Sequence, residues 1–125
     1  MRKYFFIFTL FTILSSCTSK PKNQIDVSAI EVQFSVDRFD VDFYTTKVDS
    51  LYITKEKYPL FFPTNTPDSV WIQKIKSADE QELFLETQKV YANIDFLTHD
   101  LEQLFKHIKY YNPDFISPKV VTLLS

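Results

Sequence analysis

The chain contains no glycine, and this absence restricts both how it can turn and which chemistry it can carry. Helix ends and tight turns commonly use glycine because it adopts positive φ without strain. Since glycine makes up roughly 7 per cent of average composition, complete domains seldom lack it. A Gly-rich phosphate loop, a dinucleotide-binding fingerprint and a G-x-S-x-G nucleophile elbow are all excluded.

The sequence ends within an apolar run that has the composition of a β-strand. Residues 118–125 (PKVVTLLS) predict a strand that has only just begun, with no partner strand following it. Together with the absence of glycine, this run predicts that the chain is the N-terminal part of a longer protein.

The N-terminus has the layout of a bacterial lipoprotein signal. Residues 1–3 (MRK) are basic, residues 4–14 (YFFIFTLFTIL) are apolar, and two serines and Cys17 follow directly. The apolar stretch is too short for a spanning helix, which needs about 20 residues, so residues 1–16 predict a cleaved signal peptide. We expect cleavage between Ser16 and Cys17 and lipidation of the Cys17 thiol. The alternative is an ordinary secretory signal with a chance cysteine near its end.

Length and composition limit the structures and functions that are open to the chain after cleavage. Residues 17–24 (CTSKPKNQ) predict a lipidated cysteine and a flexible tether, and residues 25–125 predict one small folded domain. Cys17 is the one cysteine, so no disulfide can form within the chain. The 14 basic and 16 acidic residues form no lysine or arginine cluster, which gives no support to nucleic-acid binding. An acylated Cys17 would hold the protein on a membrane of the bacterial envelope.

Hydrophobic periodicity predicts a strand, a helix and a packed loop in the first half of the domain. Residues 29–37 alternate apolar and polar side chains, which predicts a half-buried strand. Residues 43–58 have helical spacing, and this helix must end near Tyr58 because the residue before Pro59 is disfavoured in the α region. Prolines bound the apolar residues 58–63 (YPLFFP), which predict a loop whose phenylalanines fill the core.

Capping residues predict two more short helices. Asp68, directly after a proline, is the expected N-cap of the first. Ser77 and Glu80 have capping-box spacing for the second, which should run to about Tyr91.

The clearest helical pattern lies near the C-terminus. Its apolar residues fall at i, i+4, i+7, i+8 and i+11 and form one continuous stripe, namely Leu97, Leu101, Leu104, Phe105 and Ile108. Asn93 or Asp95 can cap the start of this helix, and Asn112-Pro113 stops it. The predicted fold class is therefore α+β and mainly α-helical, with one N-terminal strand, about four short helices and a C-terminal strand without a partner.

No group of side chains in the sequence has the spacing of an active site. His99 and His107 are two helical turns apart, about 12 Å, whereas two ligands of one zinc ion usually lie at i and i+4. We interpret both as solvated helix surface. The acidic clusters at 37–42 and 79–82 lie at a strand end and a helix start, where capping and solvation account for them. We therefore predict no catalytic residue, no metal site and no cofactor.

The aromatic residues of the domain allow two interpretations. Phe61, Phe62, Trp71, Tyr110 and Tyr111 could together form an exposed recognition patch. Most aromatic side chains in a small domain are simply core, and the core is the interpretation we favour.

Several short strings, in a fixed order along the chain, resemble one known family. They are the lipobox at 14–17, RFD at 38–40, KYPLFFP at 57–63, PDSVW at 67–71, QELF at 81–84, LFKHIKYY at 104–111 and PKVVT at 118–122. In their order and spacing the chain resembles the gliding motility lipoprotein B family of Bacteroidota, commonly written GldB. Members of that family are more than twice this length, so residues 25–125 would correspond to the N-terminal part of a GldB-like domain.

The resemblance implies an envelope lipoprotein that supports gliding motility, a machinery linked with type IX secretion. It implies a non-enzymatic role through contacts with other envelope proteins, with membrane attachment through lipid on Cys17, in either the inner or the outer membrane. One alternative is the non-catalytic N-terminal portion of a metallopeptidase-like hydrolase whose histidine motif would lie beyond Ser125. The other is a small self-contained ligand-binding lipoprotein.

Overall fold

The computed structural model describes residues 25–124, and helices account for most of this part of the chain. The elements in order are β1 (Val36–Arg38), α1 (Phe39–Tyr44), α2 (Leu51–Lys57), α3 (Asp68–Lys76), α4 (Ala78–Tyr91), α5 (Asp95–Tyr111) and β2 (Val120–Thr122), with 3₁₀ turns at Val48–Ser50 and Pro59–Phe61. The expected fold class, α+β and mainly α-helical, is confirmed. None of the described helices combines the length and the apolar character that crossing a bilayer requires.

The two strands pair with each other in parallel. Val36 lies opposite Val120, and Arg38 lies opposite Thr122. The expectation that the C-terminal strand lacks a partner is therefore wrong. The partner of β2 does not follow it in the chain but precedes all five described helices. A parallel pair needs a long crossover connection, and the helical part of the chain supplies it.

The first strand is much shorter in the structure than the alternating pattern of residues 29–37 predicts. Only the last two residues of that pattern, 36–37, belong to β1. Residue 29 lies in a turn, and residues 30–35 form no regular element and pair with no strand among the described residues. The alternation is nevertheless present in the structure, since Val32 and Phe34 are half-buried while Glu31, Gln33 and Ser35 are exposed. This N-terminal segment (residues 25–35) packs along α5 instead, where the Phe34 ring lies 5.0 Å from the Phe105 ring.

The single helix expected over residues 43–58 is wrong, because two helices and a 3₁₀ turn occupy this region. α1 ends at Tyr44, directly before two threonines. The Thr45 hydroxyl donates to the Val41 carbonyl oxygen at 2.7 Å, and such local bonds compete with continued helix. The predicted end near Tyr58 is confirmed, since α2 stops at Lys57.

The capping predictions have mixed outcomes. Pro67, not Asp68, occupies the N-cap of α3, and Asp68 instead accepts from Lys55 Nζ at 2.6 Å. The Ser77 cap of α4 is confirmed, because Ser77 Oγ accepts from the backbone N–H of Glu80 at 3.5 Å. α4 then ends at Tyr91, as predicted.

The start of α5 differs from the prediction in one detail. Ile94 occupies its N-cap without a side-chain cap, although Asn93 Oδ1 accepts from the backbone N–H of Asp95 at 2.6 Å. The helix ends directly before Asn112-Pro113, as expected.

The C-cap residues of the five described helices all have negative φ. Their C-caps are Thr45, Tyr58, Ser77, Ala92 and Asn112, with φ of −101°, −128°, −64°, −58° and −131°. Two of these residues precede a proline, which cannot continue a helix. Each of these helices thus ends at a C-cap residue with negative φ, a conformation that does not require glycine.

An aromatic cluster between α1, α2, α3 and α4 forms the main core. Its buried members are Phe43, Tyr44, Leu51, Tyr58, Phe62, Ile75 and Phe84. Phe62 is 6 % exposed, and Phe61 stacks on Phe39 at 4.7 Å, which confirms the prediction that the phenylalanines of residues 58–63 pack into the core. Val121 of β2 also packs against this cluster, so the strand pair closes one side of it.

The long helix α5 lies outside this cluster. Of its predicted apolar stripe only Phe105 is buried, and Leu104 is 51 % exposed. It packs on the N-terminal segment, where Lys109 Nζ donates to the carbonyl oxygen of Glu31 at 3.0 Å.

Candidate functional site

A buried salt bridge lies at the carboxyl end of the parallel strand pair. Arg38 is the last residue of β1, and Asp40 lies in the first turn of α1. The Arg38 guanidinium donates from Nε to Asp40 Oδ1 at 2.9 Å and from Nη2 to Oδ2 at 2.7 Å. The pair is bidentate, the geometry in which arginine binds a carboxylate most strongly. Only 5 % of Asp40 is exposed.

Two further side chains complete this cluster from distant parts of the chain. Gln88 of α4 donates from Nε2 to Asp40 Oδ2 at 3.2 Å, and its Oε1 accepts from Arg38 Nη2 at 3.2 Å. The Thr122 hydroxyl of β2 donates to Asp40 Oδ1. The four residues, which we call the strand-end clasp, therefore tie β1, α1, α4 and β2 together, and the Asp40 carboxylate accepts four hydrogen bonds.

The clasp holds Asp40 in its ionised form. Burial alone would raise the pKa of this carboxyl group. The hydrogen bonds from Arg38, Thr122 and Gln88, together with the Arg38 charge, outweigh burial and lower the pKa to about 2. A carboxylate that is saturated with donors and ionised at neutral pH is unsuited to proton transfer.

A cleft of about 190 Å³ adjoins the clasp. Its polar lining consists of Arg38, Asp40, Thr87 and Thr122, and its apolar lining consists of Tyr91, Ile94, Leu97, Leu123 and Leu124. Tyr91 is 47 % exposed and Leu123 is 53 % exposed. Pockets at the carboxyl ends of parallel strands are common ligand positions, and we call this one the strand-end cleft.

Two smaller polar clusters stabilise the helices around the core. Asp42 accepts from Lys57 Nζ at 2.7 Å and from the Tyr58 hydroxyl at 2.6 Å. Burial alone would raise the pKa of the Asp42 carboxyl group, but these hydrogen bonds outweigh it and the pKa is lowered. Glu80 accepts from Lys74 Nζ at 2.8 Å and also from the Tyr44 hydroxyl. Burial and the Glu80 carboxylate together raise the pKa of Tyr44 well above its usual range.

The sequence-based account of the acidic clusters holds for some members and fails for Asp40. Asp79 and Glu82 are exposed, and Asp37 forms an ion pair with Lys119 at 2.9 Å. Asp40 is neither a cap nor solvated, because four donors surround it inside the fold. The spacing of Arg38 and Asp40 was the one local signal of this pair, and the contributions of Gln88 and Thr122 depend on tertiary structure.

The two histidines lie apart on α5. His99 is exposed and His107 is half-buried, with His107 Nδ1 at 2.8 Å from the carbonyl oxygen of Gln103. The prediction of solvated surface therefore describes His99 and is only partly right for His107. Within residues 25–124, no three histidine, cysteine or acidic side chains converge in a way that could hold a metal ion.

The predicted aromatic patch divides between two places. Phe61, Phe62 and Trp71 pack in or against the core, with the Phe62 and Trp71 rings 4.9 Å apart. Tyr110 and Tyr111 remain 49 % and 71 % exposed at the end of α5. A single recognition patch of all five residues is therefore excluded, and the core interpretation is confirmed for three of them.

The predicted lipidation and cleavage sites lie outside the described residues. Ser16, Cys17, the signal peptide and the tether all precede Ile25, so the structure does not test them. Ile25, which follows the tether, lies beside Gln103, Lys106 and His107 of α5.

Comparison with known proteins identifies one family. A family model described as "Gliding motility protein GldB" matches residues 20–125, which is nearly the whole chain. Neither a curated protein nor a solved structure matches the chain.

Proposed function

The chain belongs to the family of the gliding motility protein GldB, and from this membership we propose that it is a lipid-anchored envelope protein that supports gliding motility through protein contacts. The family match over residues 20–125 is the observation that carries this proposal. The short strings in which the chain resembles that family, from the lipobox to residues 118–122, support the same assignment. A link to type IX secretion belongs to the proposal as well.

Attachment to the membrane is assigned to the thiol of Cys17. The basic residues 1–3, the apolar residues 4–14 and the serines before Cys17 support cleavage by a lipoprotein signal peptidase. Several acyl chains on one cysteine would hold the protein firmly on either the inner or the outer membrane. Seven residues lie between Cys17 and Ile25, so eight steps along an extended chain limit the distance of the folded part from the lipid surface to roughly 28 Å.

The proposed role is structural and not catalytic. The Asp40 carboxylate, the most buried acidic group described, accepts four hydrogen bonds and has a pKa of about 2. Such a group organises neighbouring elements and has no lone pair left for a substrate. The exposed apolar side chains of the strand-end cleft and of α5 offer surfaces for a protein partner.

Gene deletion and one substitution test this proposal. Deletion should abolish colony spreading on agar, and normal spreading of the deletion strain would contradict the motility role. Cys17→Ala should abolish incorporation of radiolabelled palmitate and release the protein from the membrane fraction. Ser19→Ala is the matched control, because Ser19 has no role in the thioether. Normal palmitate labelling of Cys17→Ala would remove the anchor assignment.

A further inference from the structure

The N-terminal segment (residues 25–35) leads from the tether to β1 without joining the sheet. The ladder pairs Val36–Arg38 with Val120–Thr122 and includes none of its residues. Outside that ladder, one backbone-to-backbone hydrogen bond involves the segment within the described chain, from the Ile30 N–H to the Val27 carbonyl oxygen at 3.0 Å. Both residues belong to the segment, so among the described residues no such bond ties it to α5.

Side chains attach the segment to α5 at a few points. The Phe34 ring meets the Phe105 ring edge-on, with the centroids 5.0 Å apart. Val27, which lies beside α5 near the start of the segment, is 4 % exposed. Between them, Lys109 Nζ donates to the Glu31 carbonyl oxygen at 3.0 Å, in an exposed position. These contacts are widely spaced, since seven positions separate Val27 from Phe34.

Two clefts interrupt the seam between the segment and α5. One, of about 440 Å³, lies between residues 25–28 and residues 103–107 of α5. The other, of about 380 Å³, lies between residues 31–33 and residues 109–117. Each can hold several water molecules, since one needs only about 10–15 Å³ of cavity volume. Sparse apolar contact and solvated backbone are features of regions that open locally while the rest of a fold stays closed.

The chain that follows the segment is held by more interactions. β1 pairs with β2 from Val36 onward, and its last residue, Arg38, makes the bidentate contact with Asp40. Gln88 and Thr122 bind the same carboxylate. An opening that begins at the tether would therefore stop at β1, because the ladder and the strand-end clasp must break before it can continue.

We propose that the N-terminal segment detaches from α5 as a unit, while the strand pair, the clasp and the core stay folded, and that it then extends the tether. The eight steps from Cys17 to Ile25 span at most roughly 28 Å. The eleven residues 25–35 raise this limit to roughly 66 Å when they are extended as well. This inference rests on the proposed attachment of the protein through Cys17.

A pull on the folded part favours the detached state because that state is longer. The proposed motility role places the folded part between the lipid and a protein partner. A force between the two lowers the free energy of the more extended state relative to the docked one, which shifts the population toward it. The docked segment keeps the folded part close to the membrane, and the detached segment lets it follow its partner without unfolding the core.

Thiol labelling of the purified full-length lipoprotein tests whether the segment opens on its own. Val27→Cys and Ile75→Cys place a thiol at positions that are 4 % and 7 % exposed, one in the segment and one in the core. Cysteine behaves as a small apolar side chain, so both sites should stay packed. With a maleimide, and with the label assigned by mass spectrometry, position 27 should react about tenfold or more faster than position 75. Ser28→Cys, at an exposed position, gives the rate of an accessible thiol.

Low concentrations of urea distinguish local opening from global unfolding. The urea dependence of an opening step grows with the surface that the step exposes. Below the unfolding transition, we expect labelling at position 27 to change little and labelling at position 75 to rise steeply. Equal rates, or the same urea dependence at both positions, would overturn the proposal, whether the seam itself or another part of the protein keeps the segment closed.

Energy transfer in phosphatidylethanolamine–phosphatidylglycerol vesicles tests the change in reach. A donor dye is attached to a cysteine introduced by Leu60→Cys, at a position 93 % exposed, and acceptor dyes label the lipid headgroups. Val27→Glu puts a charge at the buried contact and should detach the segment, so the transfer efficiency should fall. Gln33→Glu, at an exposed position of the same segment, is the matched control and should leave the efficiency unchanged. Unchanged transfer in Val27→Glu, or loss of its cooperative thermal melt, would contradict a segment that detaches while the core stays folded.

Failure of the anchor and failure of the segment give different results. A maleimide label on Cys17 of the unsubstituted protein would show a free thiol and contradict the lipid attachment, whatever the rates at positions 27 and 75. A blocked Cys17 combined with equal rates at the two positions would leave the attachment in place and remove the releasable segment.

Discussion

The aromatic core and the helix α5 differ in how completely they bury their apolar side chains. In the core, residues from four helices converge, and Phe43 is only 1 % exposed. Along α5, the apolar stripe is the most regular in the sequence, yet Leu104 remains 51 % exposed and only Phe105 is buried. A strong helical pattern therefore predicts a helix well and predicts its burial poorly, because burial depends on what packs against it.

The strand-end clasp connects the core to the strand pair and to the cleft. Asp40 lies on α1, beside the core residues, while Arg38, Gln88 and Thr122 come from β1, α4 and β2. The polar network at this junction fixes relative positions that apolar packing alone leaves less specific.

The largest effect is expected in the centre of the core. Phe43→Ala removes a buried ring that contacts Tyr44, Phe62 and Trp71, and such truncations cost about 3–5 kcal/mol. We expect a large fall in the free energy of unfolding, measured by urea denaturation. Leu60→Ala, at a position 93 % exposed, is the control and should change little. A loss below about 1 kcal/mol for Phe43→Ala would contradict the assigned core.

The clasp should contribute nearly as much. Asp40→Asn keeps the shape of the side chain but removes the charge that pairs with Arg38, and it replaces one acceptor oxygen with an NH2 group that faces a donor. Breaking a buried pair in this way costs about 3 kcal/mol. Asp42→Asn is the matched control, because the side chains of Asp42 and Lys57 are 37 % and 49 % exposed. We expect this control to lose less than about 1 kcal/mol in the same denaturation experiment.

The clasp should also make stability depend on pH in the acid range. The pKa of Asp40 is about 2 in the folded protein against an ordinary 3.8, so its contribution is complete above about pH 5 and is largely lost as the pH falls to 2. The difference corresponds to about 2 kcal/mol. The free energies of unfolding of Asp40→Asn and of the unsubstituted protein should therefore converge between pH 5 and pH 2. Parallel curves over that interval would refute this assignment.

Local signals in the sequence predicted the elements better than their partners. The proline after Tyr58, the Ser77 cap and the apolar stripe of α5 each depend on nearby residues, and each located a helix boundary or a helix correctly. The break after Tyr44 was missed, because threonines only weakly disfavour a helix and the pattern continued past them. Asp68 was assigned as a cap by its position, whereas Lys55 binds it through a tertiary contact.

The clasp and the strand pairing could not be derived from the sequence. Arg38 and Asp40 are neighbours in the chain, but Gln88 and Thr122 reach them only after α1, α4 and β2 have packed. The register between Val36 and Val120 likewise joins opposite ends of the described chain. Periodicity reports which face of an element is apolar and carries no information about which distant element covers it.

A smaller effect is expected at the start of α4. Ser77→Ala removes the side chain that accepts from the Glu80 N–H, and loss of such a cap costs about 1 kcal/mol or less, given the long 3.5 Å bond. Asp68→Ala serves as the comparison, because Asp68 caps nothing and its ion pair with Lys55 is exposed. Thermal melting should show a lower melting temperature for Ser77→Ala than for Asp68→Ala. The reverse order would restore Asp68 as the more important helix-starting residue.

The smallest effect is expected on the exposed face of α5. Leu104→Gln replaces a side chain that is 51 % exposed, and glutamine is nearly as good a helix former as leucine. The free energy of unfolding of the isolated protein should change by less than about 0.5 kcal/mol. Phe105→Ala, one residue further along, should cost several times more, because Phe105 is 5 % exposed and packs on Phe34 and Phe115. Equal losses from the two substitutions would show that α5 buries both faces, and the contrast between this helix and the core would disappear.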